Sequence, residues 1–151
     1  MTVVDASAVL EVLGGEASRQ RLARLAAEDV LHAPHLLDTE VLHVLRRLER
    51  RRDLSRKQIA TARAQFGALA IDRYPHLPLT ERVWELRSSL SAHDATYVSL
   101  AEALDATLVT TDRRLATLDR MLGRSPGVRC RFLLPGDPAS AAREFLSDPL
   151  S

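Results

Sequence analysis

The chain has 151 residues, of which 46% are hydrophobic and 27% charged, and its formal net charge is +1; this balance suits one globular domain and excludes extensive disorder. The longest uninterrupted apolar run is four residues, Ala68 to Ile71, too short for a membrane-crossing helix or an export-signal core, so a cytoplasmic location is expected. The near-neutral charge excludes a bulk field that attracts polyanions, and a single cysteine, Cys130, excludes an internal disulfide.

In chain order, Thr2 to Asp5 reads as a strand and Ala6 to Leu13 as a short helix stopped by Gly14-Gly15. Ala17 to Ala27 has helical spacing, and Val30-Leu31 reads as a short strand ended by Pro34. A strong helix follows from about His35 to Arg51, then one capped by Ser55 from Arg56 to Ala70. Ile71 to Tyr74 is expected as a strand, and Thr80 as the cap of a helix to about Leu90. A helix from about Asp94 to Leu104 precedes the strand-like Ala106 to Thr110, and Asp112 is expected to cap a helix to about Leu122. Val128 to Leu133 reads as the last strand, with Cys130 packed inside it, and Ala139 to Leu146 as a weak helix. Strands separated by helices imply βαβ units and a parallel sheet covered on both faces. One domain is expected over residues 1–134, with a peripheral tail over 135–151.

Four of the 20 acidic residues are placed unlike ordinary surface carboxylates. Asp5 and Asp112 each follow an apolar strand, at the C-terminal end where open parallel sheets bind ligands; the competing explanation is a plain N-cap for Asp112 and a cap or turn residue for Asp5. Glu40 lies on the edge of the stripe Leu37, Val41, Val44, Leu45 and Leu48, and Asp94 is followed at helical spacing by Val98, Ala101 and Leu104. A buried carboxylate is costly unless paired. A divalent cation pairs several at once, and carboxylate oxygens are the hard ligands that Mg²⁺ and Mn²⁺ prefer. An arginine partner or partial exposure is the competing explanation for each residue alone.

Three stretches, and Glu40 within a fourth, resemble the motifs of PIN domains, in the same order. They are Val3-Val4-Asp5-Ala6-Ser7-Ala8-Val9-Leu10, Glu40 within His35 to Leu42, His93-Asp94-Ala95-Thr96-Tyr97-Val98-Ser99-Leu100-Ala101-Glu102, and Leu108-Val109-Thr110-Thr111-Asp112-Arg113-Arg114-Leu115. The four acidic residues are 35, 54 and 18 positions apart in turn, and size and order are similar to the VapC-type toxins of bacterial toxin–antitoxin pairs. The resemblance spans about Thr2 to Leu133; His93 and the tail after Pro135 depart from the pattern.

The resemblance implies a three-layer α/β/α fold with a central parallel sheet, and an endoribonuclease dependent on Mg²⁺ (or Mn²⁺) that acts as a toxin, inhibiting translation by cleaving RNA. Asp5 and Asp94 would be the metal ligands, with Glu40 and Asp112 completing the catalytic cluster and Ser7 and Thr110 as supporting hydroxyls. The implied partners are RNA, a cognate antitoxin and a second copy of the chain in a homodimer. Two other readings stand beside this one: a PIN-like module that binds RNA or protein without cutting, and a phosphatase with Asp5 as nucleophile. The second usually has another Asp two residues on, where this chain has Ser7. The five histidines have no zinc-ligand spacing with a cysteine, and a surface role is expected for His93. Arg46, Arg47, Arg50, Arg51, Arg52, Arg56 and Lys57 form a basic run that suits an RNA backbone, an acidic antitoxin segment or a solvated face equally.

Overall fold

The computed structural model describes residues 1–13, 30–116 and 129–132. Its elements are β1 (Thr2–Val4), α1 (Ala6–Leu13), β2 (Leu31–Pro34), α2 (Leu36–Arg51), α3 (Arg56–Gly67), β3 (Ile71–Tyr74), α4 (Thr80–Glu85), α5 (Ala92–Ala103), β4 (Thr107–Thr110), α6 (Arg113–Ala116) and β5 (Arg129–Phe132). Short 3₁₀ turns, Leu77–Leu79 and Leu86–Ser88, flank α4. The strands form one sheet in the order β3-β2-β1-β4-β5, and every pairing is parallel.

Alternation along the strands splits the core in two. Val4, Val109, Leu31 and Ala33 face a cluster closed by Val9 of α1, Leu37, Val41 and Leu45 of α2, and Ile59 and Phe66 of α3. Val3 and Leu108 face the other cluster, closed by Tyr97, Val98 and Ala101 of α5 with Leu79 and Leu86. Helices therefore cover both faces, as the α/β/α expectation requires. The chain winds from β1 outward to β3, then returns to β4 on the other side of β1. The switch in direction lies between β1 and β4, and their C-terminal ends are where such sheets open a crevice.

The strand Ile71–Tyr74 and the helix Ala6–Leu13 fall where the residue pattern puts them, and the other boundaries move by a few residues. Helix α3 stops at Gly67 rather than Ala70; its start is a full capping box, in which Ser55 Oγ accepts from the Gln58 N–H at 3.3 Å and the Gln58 side chain accepts from the Ser55 N–H at 2.8 Å. Thr80 is not a cap. It is already helical, and its hydroxyl donates to the Leu77 carbonyl at 2.9 Å. The expected helix to Leu90 is α-helical only to Glu85 and gives way to the 3₁₀ turn Leu86–Ser88, while another 3₁₀ turn, with Pro78 in it, precedes Thr80. Asp94 does not open α5; Ser91 caps that helix and Asp94 is its third residue. Nor does α5 have one apolar face, because every residue from Ala95 to Ala101 is buried. The expected helices Ala17 to Ala27 and Ala139 to Leu146, the continuation beyond Ala116 and the 134/135 boundary lie outside the described residues.

Candidate active site

Asp5 joins β1 to α1. Its backbone N–H pairs with the Val109 carbonyl at 3.2 Å, continuing the ladder to β4. Its side chain caps α1, with Oδ1 accepting from the Ala8 N–H at 2.8 Å and from the Ser7 hydroxyl at 2.7 Å. Oδ2 accepts from the Thr110 hydroxyl at 2.5 Å, across the switch point. The polarity of both hydroxyls is set from behind. Ser7 Oγ accepts the Thr111 N–H at 3.0 Å and Thr110 Oγ1 accepts the Asp112 N–H at 2.9 Å, so each is left with its proton for Asp5. Ser7 and Thr110 thus both donate to Asp5.

Asp5 caps α1, yet its burial sets it apart from an ordinary cap. Asp5 is 5% exposed. Burial pushes its pKa up, opposed by the Thr110, Ala8 and Ser7 hydrogen bonds, and the negative charge of Glu40 adds to the rise. An ordinary cap is solvated and carries no such penalty. A carboxylate offers about four lone-pair sites, and three are taken, leaving room on Oδ2 for one more ligand.

Glu40 is half-buried in the second turn of α2. Its Oε2 accepts from the Tyr97 hydroxyl at 2.7 Å and its Oε1 lies 3.2 Å from His93 Nδ1. His93 is exposed, as expected, but it stands on the rim of the site against Glu40. Asp94 is tied to its own helix start: its N–H donates to Ser91 Oγ at 3.1 Å, and the Ser91 hydroxyl donates to Oδ2 at 2.8 Å. Asp112 caps α6 and pairs with Arg114, whose Nη2 is 2.8 Å from Oδ2 and whose N–H donates to Oδ1 at 2.8 Å. The Arg114 guanidinium holds the Asp112 pKa below the usual carboxylate range. The negative charge of Asp94 also raises the Arg114 pKa, after the contributions of Asp112.

The charge of Glu40 is felt at Asp5 and that of Asp94 at Arg114, the partner of Asp112. Among the described residues no three His, Cys, Asp or Glu side chains already converge as a metal cage. The donor chemistry still fits a hard divalent cation. All four ligating candidates are carboxylates, Asp5 keeps a lone pair on Oδ2, and no cation is among the groups that shift its pKa. Tyr97, Ser91 and Arg114 were not singled out from the sequence. Tyr97 has a detectable spacing, three positions after Asp94 on the same helix, but its partner Glu40 is 57 residues away.

The basic run sits elsewhere. Glu40 is near the start of α2, and Arg46 to Arg51 lie roughly 9 to 17 Å further along the axis at 1.5 Å per residue. They surround the turn into α3, where Arg56 is exposed and 3.8 Å from Glu49.

The PIN-domain family model matches residues 2–121. Ribonuclease VapC9 of Mycobacterium tuberculosis is 48% identical over 116 residues, which cover 77% of this chain and 89% of that protein. Ribonuclease VapC1 of the same organism is 43% identical over 134 residues, covering 87% and 96%. Among solved structures, VapBC2 from Rickettsia felis, bound to a DNA fragment from its promoter, superposes with a TM-score of 0.63 at 15% identity, over 87% of this chain and 98% of that one. VapC20 of M. tuberculosis, a toxin that cleaves the sarcin–ricin loop, gives a TM-score of 0.55 at 20% identity, over 78% and 95%. These two structural likenesses concern the fold alone.

Proposed function

Because the chain belongs to the PIN-domain family, we propose that it is a metal-dependent endoribonuclease, the toxin of a toxin–antitoxin pair, which inhibits translation by cutting RNA. Its curated relatives are VapC ribonucleases, matched over most of their own length. The observation that carries the catalytic reading is Asp5: a buried carboxylate at the topological switch point, held by three neutral donors, with a second negative charge beside it. A strongly desolvated acid in a crevice is the electrostatic signature of a working site.

Asp5 and Asp94 are the metal ligands in this reading, and Glu40 and Asp112 complete the cluster. A bound Mg²⁺ or Mn²⁺ supplies an acidified water and neutralises charge on the phosphoryl oxygens. The chain's own residues do the placing. Ser7, Thr110 and the Ala8 amide keep Asp5 in one orientation, Ser91 does so for Asp94, and Arg114 balances Asp112. Bare carboxylates repel RNA, so a loaded cluster admits the backbone that an empty one rejects. The partners in this reading are RNA, an antitoxin that covers the acidic crevice, and a second copy in a homodimer, all in the cytoplasm. Among the described residues no helix is long and apolar enough to cross a membrane.

The test is single-turnover cleavage of RNA in Mg²⁺ and in Mn²⁺ by wild type and by Asp5→Asn, with circular dichroism as the folding control. Asn is nearly isosteric but neutral, a poor ligand for a hard cation. Activity should fall by roughly two orders of magnitude or more, the scale of losing one transition-state stabiliser. A folded Asp5→Asn protein that cuts at the wild-type rate overturns the metal-nuclease reading. Wild-type protein that binds RNA and never cuts it favours the non-cleaving module instead.

A further inference from the structure

Tyr97 is 2% exposed, packed within the core layer that α5 presents to the sheet. A buried phenol needs a hydrogen-bond partner, and most find a backbone carbonyl or water. This one donates to Glu40 Oε2 at 2.7 Å, bridging α5 to α2 across 57 residues of sequence. The Ala6 backbone amide acts on the same phenol oxygen, one residue beyond Asp5. Burial, then the bond to Glu40, push the phenol pKa far above its ordinary value, so the group stays a donor.

We propose that Tyr97 is a positioning residue that aims the Glu40 carboxylate into the acidic cluster. The inference rests on the metal-nuclease reading of that cluster. Glu40 needs such support more than its companions do. Asp5 has three donors and Asp94 has a cap serine, whereas Glu40 sits on a longer side chain whose other oxygen, among the described residues, meets only the exposed His93. Fixing one oxygen on a core-packed ring removes rotamer freedom and leaves Oε1 facing the rim. The same helix carries Asp94 three residues earlier, one turn from Tyr97, so a single rigid element sets two corners of the cluster.

Tyr97→Phe keeps the ring and deletes the hydroxyl. Two quantities test it: Mn²⁺ affinity of the RNA-free protein by electron paramagnetic resonance, and the single-turnover cleavage rate at saturating Mn²⁺. Losing a partner that orients a metal-site carboxylate costs roughly 10- to 100-fold in metal affinity or activity. We expect Mn²⁺ affinity to fall at least about tenfold on that scale, in a protein whose circular dichroism matches wild type. In a Glu40→Ala background the same substitution should change Mn²⁺ affinity no further, because its target is gone. A folded Tyr97→Phe protein with wild-type Mn²⁺ affinity and rate overturns the proposal, as does an equal loss in the Glu40→Ala background. A variant that fails to fold assigns the hydroxyl to the core and overturns it too. If wild type binds Mn²⁺ but cuts no RNA, the nuclease reading fails alone, and the Mn²⁺ titrations still decide the role of Tyr97.

Discussion

Asp5 and Asp112 carry the same functional group at neighbouring strand ends, yet their surroundings push their pKa values in opposite directions. Asp5 is raised, by burial first, and Asp112 is lowered, by Arg114 first. The consequences for stability therefore have opposite signs. Between its ordinary value of 3.8 and its raised folded value, Asp5 holds a proton when folded and has lost it when unfolded. Metal-free stability thus falls as pH rises through that window and levels off above it. Asp112 works the other way: its contribution is present above 3.8 and is lost as pH falls toward its lowered folded value. That second effect is weakened because Arg114 is solvent-exposed. In chelator, Asp5→Asn should melt above wild type at neutral pH, and the gap should narrow as pH falls toward about 4. Thermal melts from about pH 4 to 8 in chelator check this; parallel curves for the two proteins would show that the Asp5 pKa is not raised by folding. Adding Mg²⁺ should raise wild type more than the variant, since a ligand stabilises only the state that binds it.

Two helices begin with the same device and serve different ends. Ser55 caps α3 and Ser91 caps α5, each with its side chain accepting from the third helical N–H. Replacing either cap serine by Ala should cost about 1 kcal/mol of stability. Their effects on cleavage should differ. Among the described residues the Ser55 hydroxyl otherwise reaches only the Gln58 side chain, at 2.8 Å, beside the α2–α3 turn, whereas the Ser91 hydroxyl also holds Asp94 Oδ2. Ser91→Ala should lower the cleavage rate as well as the stability, and Ser55→Ala should lower stability alone. Chemical denaturation with parallel single-turnover kinetics measures both; equal rates for the two variants would detach Ser91 from the site. Helix α5 needs its exact start because it is buried all round from Ala95 to Ala101 and is clamped by Arg82 of α4. That arginine bonds Glu102 through Nε at 2.6 Å and Nη2 at 2.8 Å.

Across the whole molecule, charge is segregated along the length of α2. Asp5 and Asp112 follow the C-terminal ends of β1 and β4 and Glu40 lies near the start of α2, whereas the arginine-rich turn into α3 lies at the other end of that helix. With a net charge of +1 there is no global field to draw in RNA, so affinity for its backbone must come from local patches. Reversing two of the charges, Arg50→Glu with Arg51→Glu, should leave the saturated cleavage rate unchanged, weaken RNA binding and flatten its salt dependence. The log–log slope should shrink by roughly 0.7 for each phosphate of a single strand that the protein ceases to neutralise. Binding isotherms over a salt series measure this. An unchanged slope would free the run from RNA and leave it to a protein partner or to solvent.

Much of the architecture was legible in the residues themselves. The alternation of short apolar runs with helical spacing implies parallel βαβ units, since only those connections bury both faces of such strands. The positions of Asp5 and Asp112 after Val3-Val4 and Leu108-Val109 place them at strand ends, because the strand's own periodicity does so. Glu40 at the margin of Leu37, Val41 and Leu45 reads as half-buried for the same local reason, and the structure agrees. Local pattern could not determine partners. That Thr110 donates to Asp5 across 105 residues and Tyr97 to Glu40 across 57 depends on which elements become neighbours. The return of the chain to β4 beside β1 brings those groups together, and long-range packing, which no window of sequence contains, selects that return. The same packing broke the expected helix after Thr80 and buried α5 on every side, where periodicity alone predicted one continuous helix and one apolar face.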